Sequence, residues 1–194
     1  MDDSQFEPPT DPTLRRYSLA QRLTWHQART YTIQRFTALS RHQLALLRKR
    51  WAVPGDLRRR GPHPKSLYLL LRSPNFRLEA ACAAVVCEML GAVPGRAAAL
   101  DRRKFYSLQV GERLCAAYEA LRGYIPDARL EFEHLLLLVL ALADGREFAL
   151  GACIECGAAV LIDLLSVHNQ RCTLCSRDKH GVRAAALSHT ANLS

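Results

Sequence analysis

Cysteine is the residue type around which this chain can do chemistry. Four of its seven cysteines form two close pairs, Cys153-Ile154-Glu155-Cys156 and Cys172-Thr173-Leu174-Cys175, with 15 residues between the inner members. A C-x2-C turn aims two thiolates at one point, and two such turns complete the tetrahedral sulfur shell that zinc accepts, at about 2.3 Å per bond. Gly157, directly after the second cysteine, suits a knuckle whose backbone turns tightly and brings amide groups toward sulfur. The expected role of Cys153, Cys156, Cys172 and Cys175 is to hold one structural Zn2+. Four sulfur ligands leave no open coordination position, which argues against a catalytic metal. Two other uses of such pairs stay open. A dithiol redox centre needs only one C-x2-C and a thioredoxin-like βαβ setting, and an iron–sulfur cluster shares the spacing. His168 and His180 are further ligand types nearby, read as surface or supporting residues because the cysteines already suffice.

Other chemistry has little to build on. Cys82, Cys87 and Cys115 lie on apolar helical stripes and read as small buried hydrophobes, and His134 as a core or interface residue. Neither G-x-x-x-x-G-K-[ST] nor G-x-G-x-x-G occurs. Glu131 and Glu133, two apart on a predicted helix, face different ways, so paired acid–base work is unsupported. No enzyme and no small-molecule substrate are expected. The longest strongly apolar run, Leu135 to Ala143, has nine residues, whereas a helix crossing a bilayer takes about 20. The acidic start Met1-Asp2-Asp3-Ser4 is the reverse of a secretory signal. A cytoplasmic protein with no membrane contact is expected, where reducing conditions favour metal-bound over disulfide-bonded cysteine.

The elements that must position the cysteines are mostly helical. Leu14 to Phe36 repeats Tyr17, Ala20, Leu23, Thr24, Ala28 and Tyr31 at helical spacing, with Arg15, Arg16, Arg22, Arg29 and Arg35 over the rest of its surface. Ser40 is a plausible N-cap for a second helix to about Trp51, with Leu44, Leu47 and Trp51 on one face. Val53 to Lys65 is rich in Pro and Gly and reads as an extended loop. Leu67 to Leu71 fits a buried strand or a helical turn. Asn75 to Leu90 carries Phe76, Ala80, Ala83, Val86, Cys87 and Leu90 on one stripe. Further helices are expected at 96–105, 111–121 and 127–143, with stops at Gly123 and at Asp144-Gly145; the last is apolar around most of its circumference and should be central. Glu147 to Ala152 and Ala158 to Leu165 read as short strands, and Ala158 to Ser166 as a candidate small hairpin or ribbon whose folding metal binding would drive.

Charge is polarised along this frame. Residues 1–75 carry 14 Lys/Arg against 5 Asp/Glu, residues 76–194 carry 13 against 13, and within these residues 171–194 carry 4 against 1. Chains tuned only for solubility intersperse the signs, so this net charge of +9 points to an anionic partner, nucleic acid first. The residues expected to contact phosphate are Arg48, Lys49, Arg50, Arg58, Arg59, Arg60 and Lys65, together with Arg171, Arg177, Lys179 and Arg183 near the cysteines. RNA binding ranks lower because Phe and Tyr are not clustered on strands as stacking platforms.

The chain resembles the FlhC family, the larger subunit of the bacterial flagellar master transcriptional activator, over roughly residues 30–178. The residues that carry the resemblance are Leu39-Ser40-Arg41 with Leu44 and Leu47, Arg60-Gly61-Pro62-His63-Pro64-Lys65, Cys115-Ala116-Ala117-Tyr118, the apolar stretch Leu135 to Leu142, and Cys153-Ile154-Glu155-Cys156-Gly157 with Cys172-Thr173-Leu174-Cys175. The resemblance implies a cytoplasmic zinc protein that assembles with a smaller helical FlhD-like subunit, binds promoter DNA and recruits σ70-type RNA polymerase. It departs from the family at Pro54 to Arg59, which looks like an insertion, and at Leu67 to Leu71, where the family is aromatic-rich. Relatives also control conjugative transfer, which leaves the regulon open. A metal-ribbon module touching only protein is the alternative. The expected architecture is mainly α, a multi-helix body with a small C-terminal four-cysteine zinc-ribbon-like module containing short β-strands. Its expected divisions are a disordered leader at 1–13, the body at 14–145 (basic part 14–75, core and partner helices 76–145), the zinc module at 146–180 and a flexible tail at 181–194.

Overall fold

The computed structural model describes residues 11–57, 64, 66–95, 101–166 and 170–176. In chain order they form α1 (Pro12–Trp25), α2 (Thr30–Thr37), α3 (Arg41–Arg50), a 3-10 turn at Gly55–Leu57, α4 (Leu67–Leu70), α5 (Pro74–Met89), α6 (Arg102–Phe105), α7 (Leu108–Tyr124), α8 (Phe132–Asp144), and then β1 (Phe148–Ala152) and β2 (Ala159–Asp163). The protein is mainly helical, with a small antiparallel sheet and the four-cysteine cluster at its C-terminal end.

Short polar residues start the helices. The side chains of Asp11, Ser40, Ser66, Ser73 and Ser107 accept first-turn amides of α1, α3, α4, α5 and α7, which satisfies donors that a helix leaves unpaired. At Ser40 the Gln43 side chain reaches back to the Ser40 amide and closes a capping box. Because Asp11 caps α1, helix begins at Pro12, inside the stretch expected to be leader.

The continuous helix expected over 14–36 is two. Gln27 takes a left-handed φ of 58°, and the amides of Gln27 and Ala28 bond back to Thr24 and Leu23, a Schellman ending built without glycine. Ala52 ends α3 in the same way, with φ 50° and with bonds from Ala52 and Val53 to Lys49 and Arg48. Other boundaries move too. The helix expected from Gly111 starts at Leu108, behind the Ser107 cap. Gly123 lies inside α7, which stops at Tyr124 because Ile125 precedes Pro126 and is pushed out of the helical region. The start expected at Asp127 shifts to Phe132, since the amides of Arg129 and Leu130 bond to the Glu79 carboxylate on α5 instead. Leu67 to Leu70 is a helical turn. Leu90, expected on the buried stripe of α5, is exposed.

The core gathers around α8, as its all-round apolarity led one to expect. Phe132, Leu135, Leu136, Leu138 and Val139 are buried against α4, α5, α7 and β1. Glu133 on the same helix is only 4% exposed. Its carboxylate accepts the Arg29 amide at 2.8 Å and the Thr32 hydroxyl at 2.8 and 3.0 Å, so it caps α2 from another helix and pins that helix to the centre.

α1 and α7 run parallel, with two ion pairs in register. Arg15 donates Nε and Nη2 to Glu112 at 3.0 and 2.6 Å, and Arg22 does the same to Glu119, again at 3.0 and 2.6 Å. Between them Gly111 lets the helices close: a Cβ there would meet Leu19 at 2.8 Å and Phe36 at 3.0 Å. Glu119 also accepts from His26 Nε2 at 2.7 Å. Burial works to raise this carboxyl, but the hydrogen bonds from His26 and Arg22 outweigh it and hold Glu119 at about 2. A carboxylate whose folded pKa is lowered adds stability above its ordinary pKa, and that stability is lost as pH falls toward the folded value. The stability difference between the native chain and Glu119→Gln should therefore be widest at neutral pH and shrink between about pH 5 and pH 2. Thermal melts across that range test it; acid loss of any metal is common to both chains and cancels.

Candidate metal centre

The sheet that presents the cysteines is a hairpin whose strands pair from Phe148↔Asp163 to Ala152↔Ala159. Its connection is the first C-x2-C, not a turn within 158–166 as expected. β-Branched and apolar residues alternate on β2, so that Val160 packs on the cysteines while Leu161 and, from β1, Phe148 and Leu150 join the helical core. The first knuckle turns as expected: Gly157 has φ 71°, its amide bonds to Cys153 O at 2.9 Å, and the Cys153 amide bonds to Ala158 O at 2.8 Å. The second knuckle is a helical turn over 173–176, and the Ile154 amide, bonded to Gln170 O at 3.0 Å, ties the two knuckles together.

The four Sγ atoms of Cys153, Cys156, Cys172 and Cys175 lie within 4.8 Å of one another, with Cys156 and Cys172 at 3.7 Å. Four sulfurs arranged tetrahedrally at about 2.3 Å from a zinc ion stand about 3.8 Å apart, so the donor set fits one ion. The Cys172 amide donates to Cys153 Sγ at 3.2 Å and the Cys175 amide to Cys172 Sγ at 3.4 Å, the N–H···S pattern that holds thiolates in place. Amides of Cys172, Cys156 and Glu155 draw the Cys153 thiol down to about 6, while hydrogen-bonded neighbouring sulfurs push Cys175 up. A cation among them would let all four sulfurs bind as thiolates.

Beside the site, Arg171 Nη2 stands 3.1 Å from Glu155 Oε1. Ile154 and Leu174, the apolar residues at the knuckle tips, are each 62% exposed. The remaining cysteines behave as expected of buried hydrophobes: Cys87 and Cys115 are buried and Cys82 half-buried, and burial pushes the Cys87 thiol up to about 12.

Of the residues expected to meet phosphate, Lys49 and Arg50 are exposed at the C-terminal end of α3. Arg48 is half-buried and donates to Thr30 Oγ1 at 2.8 Å, bracing α3 to α2. Arg58, Arg59, Arg60, Lys65, Arg177, Lys179 and Arg183, with His168 and His180, lie outside the described residues. The structure places Arg171 beside the cysteines and Lys49 and Arg50 at the end of α3. Part of the basic front end is consumed internally: Arg15 and Arg22 face Glu112 and Glu119, and Arg35 lies over the Tyr106 ring at 4.4 Å. The matched seven-residue steps Arg15/Arg22 and Glu112/Glu119 were the sequence signal for this pairing. Among the described residues, no helix is long and apolar enough to cross a membrane.

Fold and site together define a mainly helical protein with a C-terminal four-cysteine hairpin able to hold a metal ion. No protein-family model matches the chain, and no curated protein is significantly similar to it.

Proposed function

We propose that the protein is a structural-zinc, DNA-binding transcriptional activator of the FlhC type. It acts in the cytoplasm with an FlhD-like subunit to switch on flagellar operons with σ70 RNA polymerase, conjugative-transfer genes being the alternative regulon. The observation that carries this is the closed four-sulfur shell on a hairpin seated against a helical body. Sulfur in all four positions suits a metal used for architecture, and a tetrahedral set of this size is one that zinc accepts. Support for the DNA partner comes from the exposed Arg41, Lys49 and Arg50 on α3 and Arg171 beside the cysteines, and from the stretches that resemble the family, Leu39-Ser40-Arg41 and the two knuckles among them. Contacts to phosphate set affinity, while base readers have still to be found.

A second reading, a metal ribbon that docks only protein, is favoured by the exposed apolar tips Ile154 and Leu174. Chromatin immunoprecipitation of the tagged chain in its own cells separates the two. The activator should enrich discrete promoter fragments, and Lys49→Glu with Arg50→Glu should cut that occupancy while leaving partner co-purification intact. Occupancy no higher than in untagged cells would refute the activator.

A further inference from the structure

We infer that α2, the turn Ala38-Leu39-Ser40 and α3 form a helix-turn-helix whose second helix reads base edges in the major groove of DNA. Eight helical residues, three of turn and ten more of helix follow one another directly, the order and turn length of that motif. Ala38 opens the turn in the left-handed region, φ 57°, a backbone state for which such turns often use glycine, and its amide bonds to Gln34 O at 2.8 Å. The Leu39 amide then donates to the buried Thr37 hydroxyl at 3.3 Å, and Ser40 caps α3. Ile33 of α2, Leu39 of the turn and Leu44 of α3 lie in one core with Leu19 and Leu23 of α1, and each of these three helices packs on the other two. α1 thus backs the pair as a third helix, and burial of Leu39 and Leu44 fixes which face α3 turns outward.

The charge of that unit matches a polyanion. Residues 12–55, which hold all three helices, carry nine Lys/Arg and no Asp or Glu. Arg15 and Arg22 face glutamates of α7, whereas the outward face of α3 keeps its cations in solvent. Arg41, Ala45 and Lys49 stand four apart along one ridge, His42, Leu46 and Arg50 along the next, and all six are exposed. A ten-residue helix is about 15 Å long, and a major groove about 12 Å wide and 8.5 Å deep admits it. The N-terminal turn of such a helix meets the bases, which puts Arg41 and His42 there, the Arg41 fork suiting guanine O6 and N7. Ala45 is small enough for close approach, and Leu46, 56% exposed in water, meets a thymine methyl in the groove. Lys49 and Arg50, two turns further on, hold phosphate.

This assignment rests on the DNA-binding function proposed above and supplies its base readers. The test takes the full-length, metal-loaded chain, purified from its own cells with any subunit that accompanies it, and selects on it a pool of duplexes with a randomised centre. The native chain should enrich one sequence. Arg41→Ala, at an exposed position, should relax the preference at one base pair, discrimination there falling about 10- to 100-fold, the worth of one bidentate pair. Lys49→Gln should instead weaken every duplex alike and flatten the slope of log K against log[salt] by about 0.9, the loss of one phosphate contact. Ala45→Glu, which keeps a good helix former on the exposed ridge, should weaken every duplex at least about tenfold, because its carboxylate meets the groove that the bare methyl allowed in. A selected sequence that Arg41→Ala leaves unchanged, or duplexes held by Ala45→Glu as tightly as by the native chain, would overturn α3 as the reader while DNA binding itself stands. A native chain that retains no duplex at all sinks the DNA-binding function, and the reading helix with it.

Discussion

Cys172→Ser is expected to take the purified protein from about one zinc per chain to almost none, because a serine hydroxyl cannot replace the thiolate in a four-sulfur shell. Cys172 is tied to each of the other three. Its Sγ stands 3.7 Å from that of Cys156 and accepts the Cys175 amide, and its own amide donates to Cys153. What is lost is the binding free energy that orders the knuckles, which in small zinc modules amounts to roughly 10–16 kcal/mol at neutral pH. Hydrogen exchange should show the amides of Ile154, Gly157 and Ser176 deprotected, while those of α5, α7 and α8 stay slow, since Cys153, Cys172 and Cys175 belong to a small cluster apart from the main core. Metal analysis by mass spectrometry and exchange on the same sample decide it. Native protein that purifies without metal yet protects its knuckle amides equally well would show that the sulfurs pack unaided.

Phe148→Ala is expected to act on the whole molecule. The ring is 1% exposed, belongs to the main core and lies 5.0 Å from that of Tyr68. Truncating a buried phenylalanine costs about 3–5 kcal/mol, part lost transfer energy and part cavity, a large share of the stability of an ordinary domain. Chemical denaturation followed both by helical circular dichroism and by metal release should move to lower denaturant in both signals together. Were only metal release to shift, the hairpin would be a separate folding unit. The contrast with Cys172→Ser follows from the architecture: one end of the hairpin is rooted in the helical core and the other holds the sulfurs, so damage at the root spreads further than damage at the tip.

That arrangement explains why the sequence describes the site better than its surroundings. The two C-x2-C pairs, Gly157 and the strand-like segments are local, and local spacing determines a knuckle because the ligand geometry leaves little choice. Ser40, followed by Gln43, is equally legible as a helix start, since a cap is satisfied within three residues. The ends at Gln27 and Ala52 are not legible: neither residue favours a left-handed φ, and each adopts it because the following chain must turn back onto the core. A hairpin was legible too, but its partner strands were not assigned, as β2 pairs across the knuckle with β1.

The cationic front shows the same division. Counting charges revealed the excess, yet pairing depends on residues far apart in the chain: Arg15 with Glu112, Arg22 with Glu119 and the Arg29 amide with Glu133. Glu133 reads as one more polar residue on a helix until α2 is placed over it. By itself the sequence determined the helical class, the helix start at Ser40 and the four cysteines that cluster, because caps, periodicity and C-x2-C spacing act over a few residues. Only the tertiary structure decided which arginines are already neutralised and where helices break. Those outcomes arise from packing between distant segments, whose energy is set by contacts that no local pattern encodes.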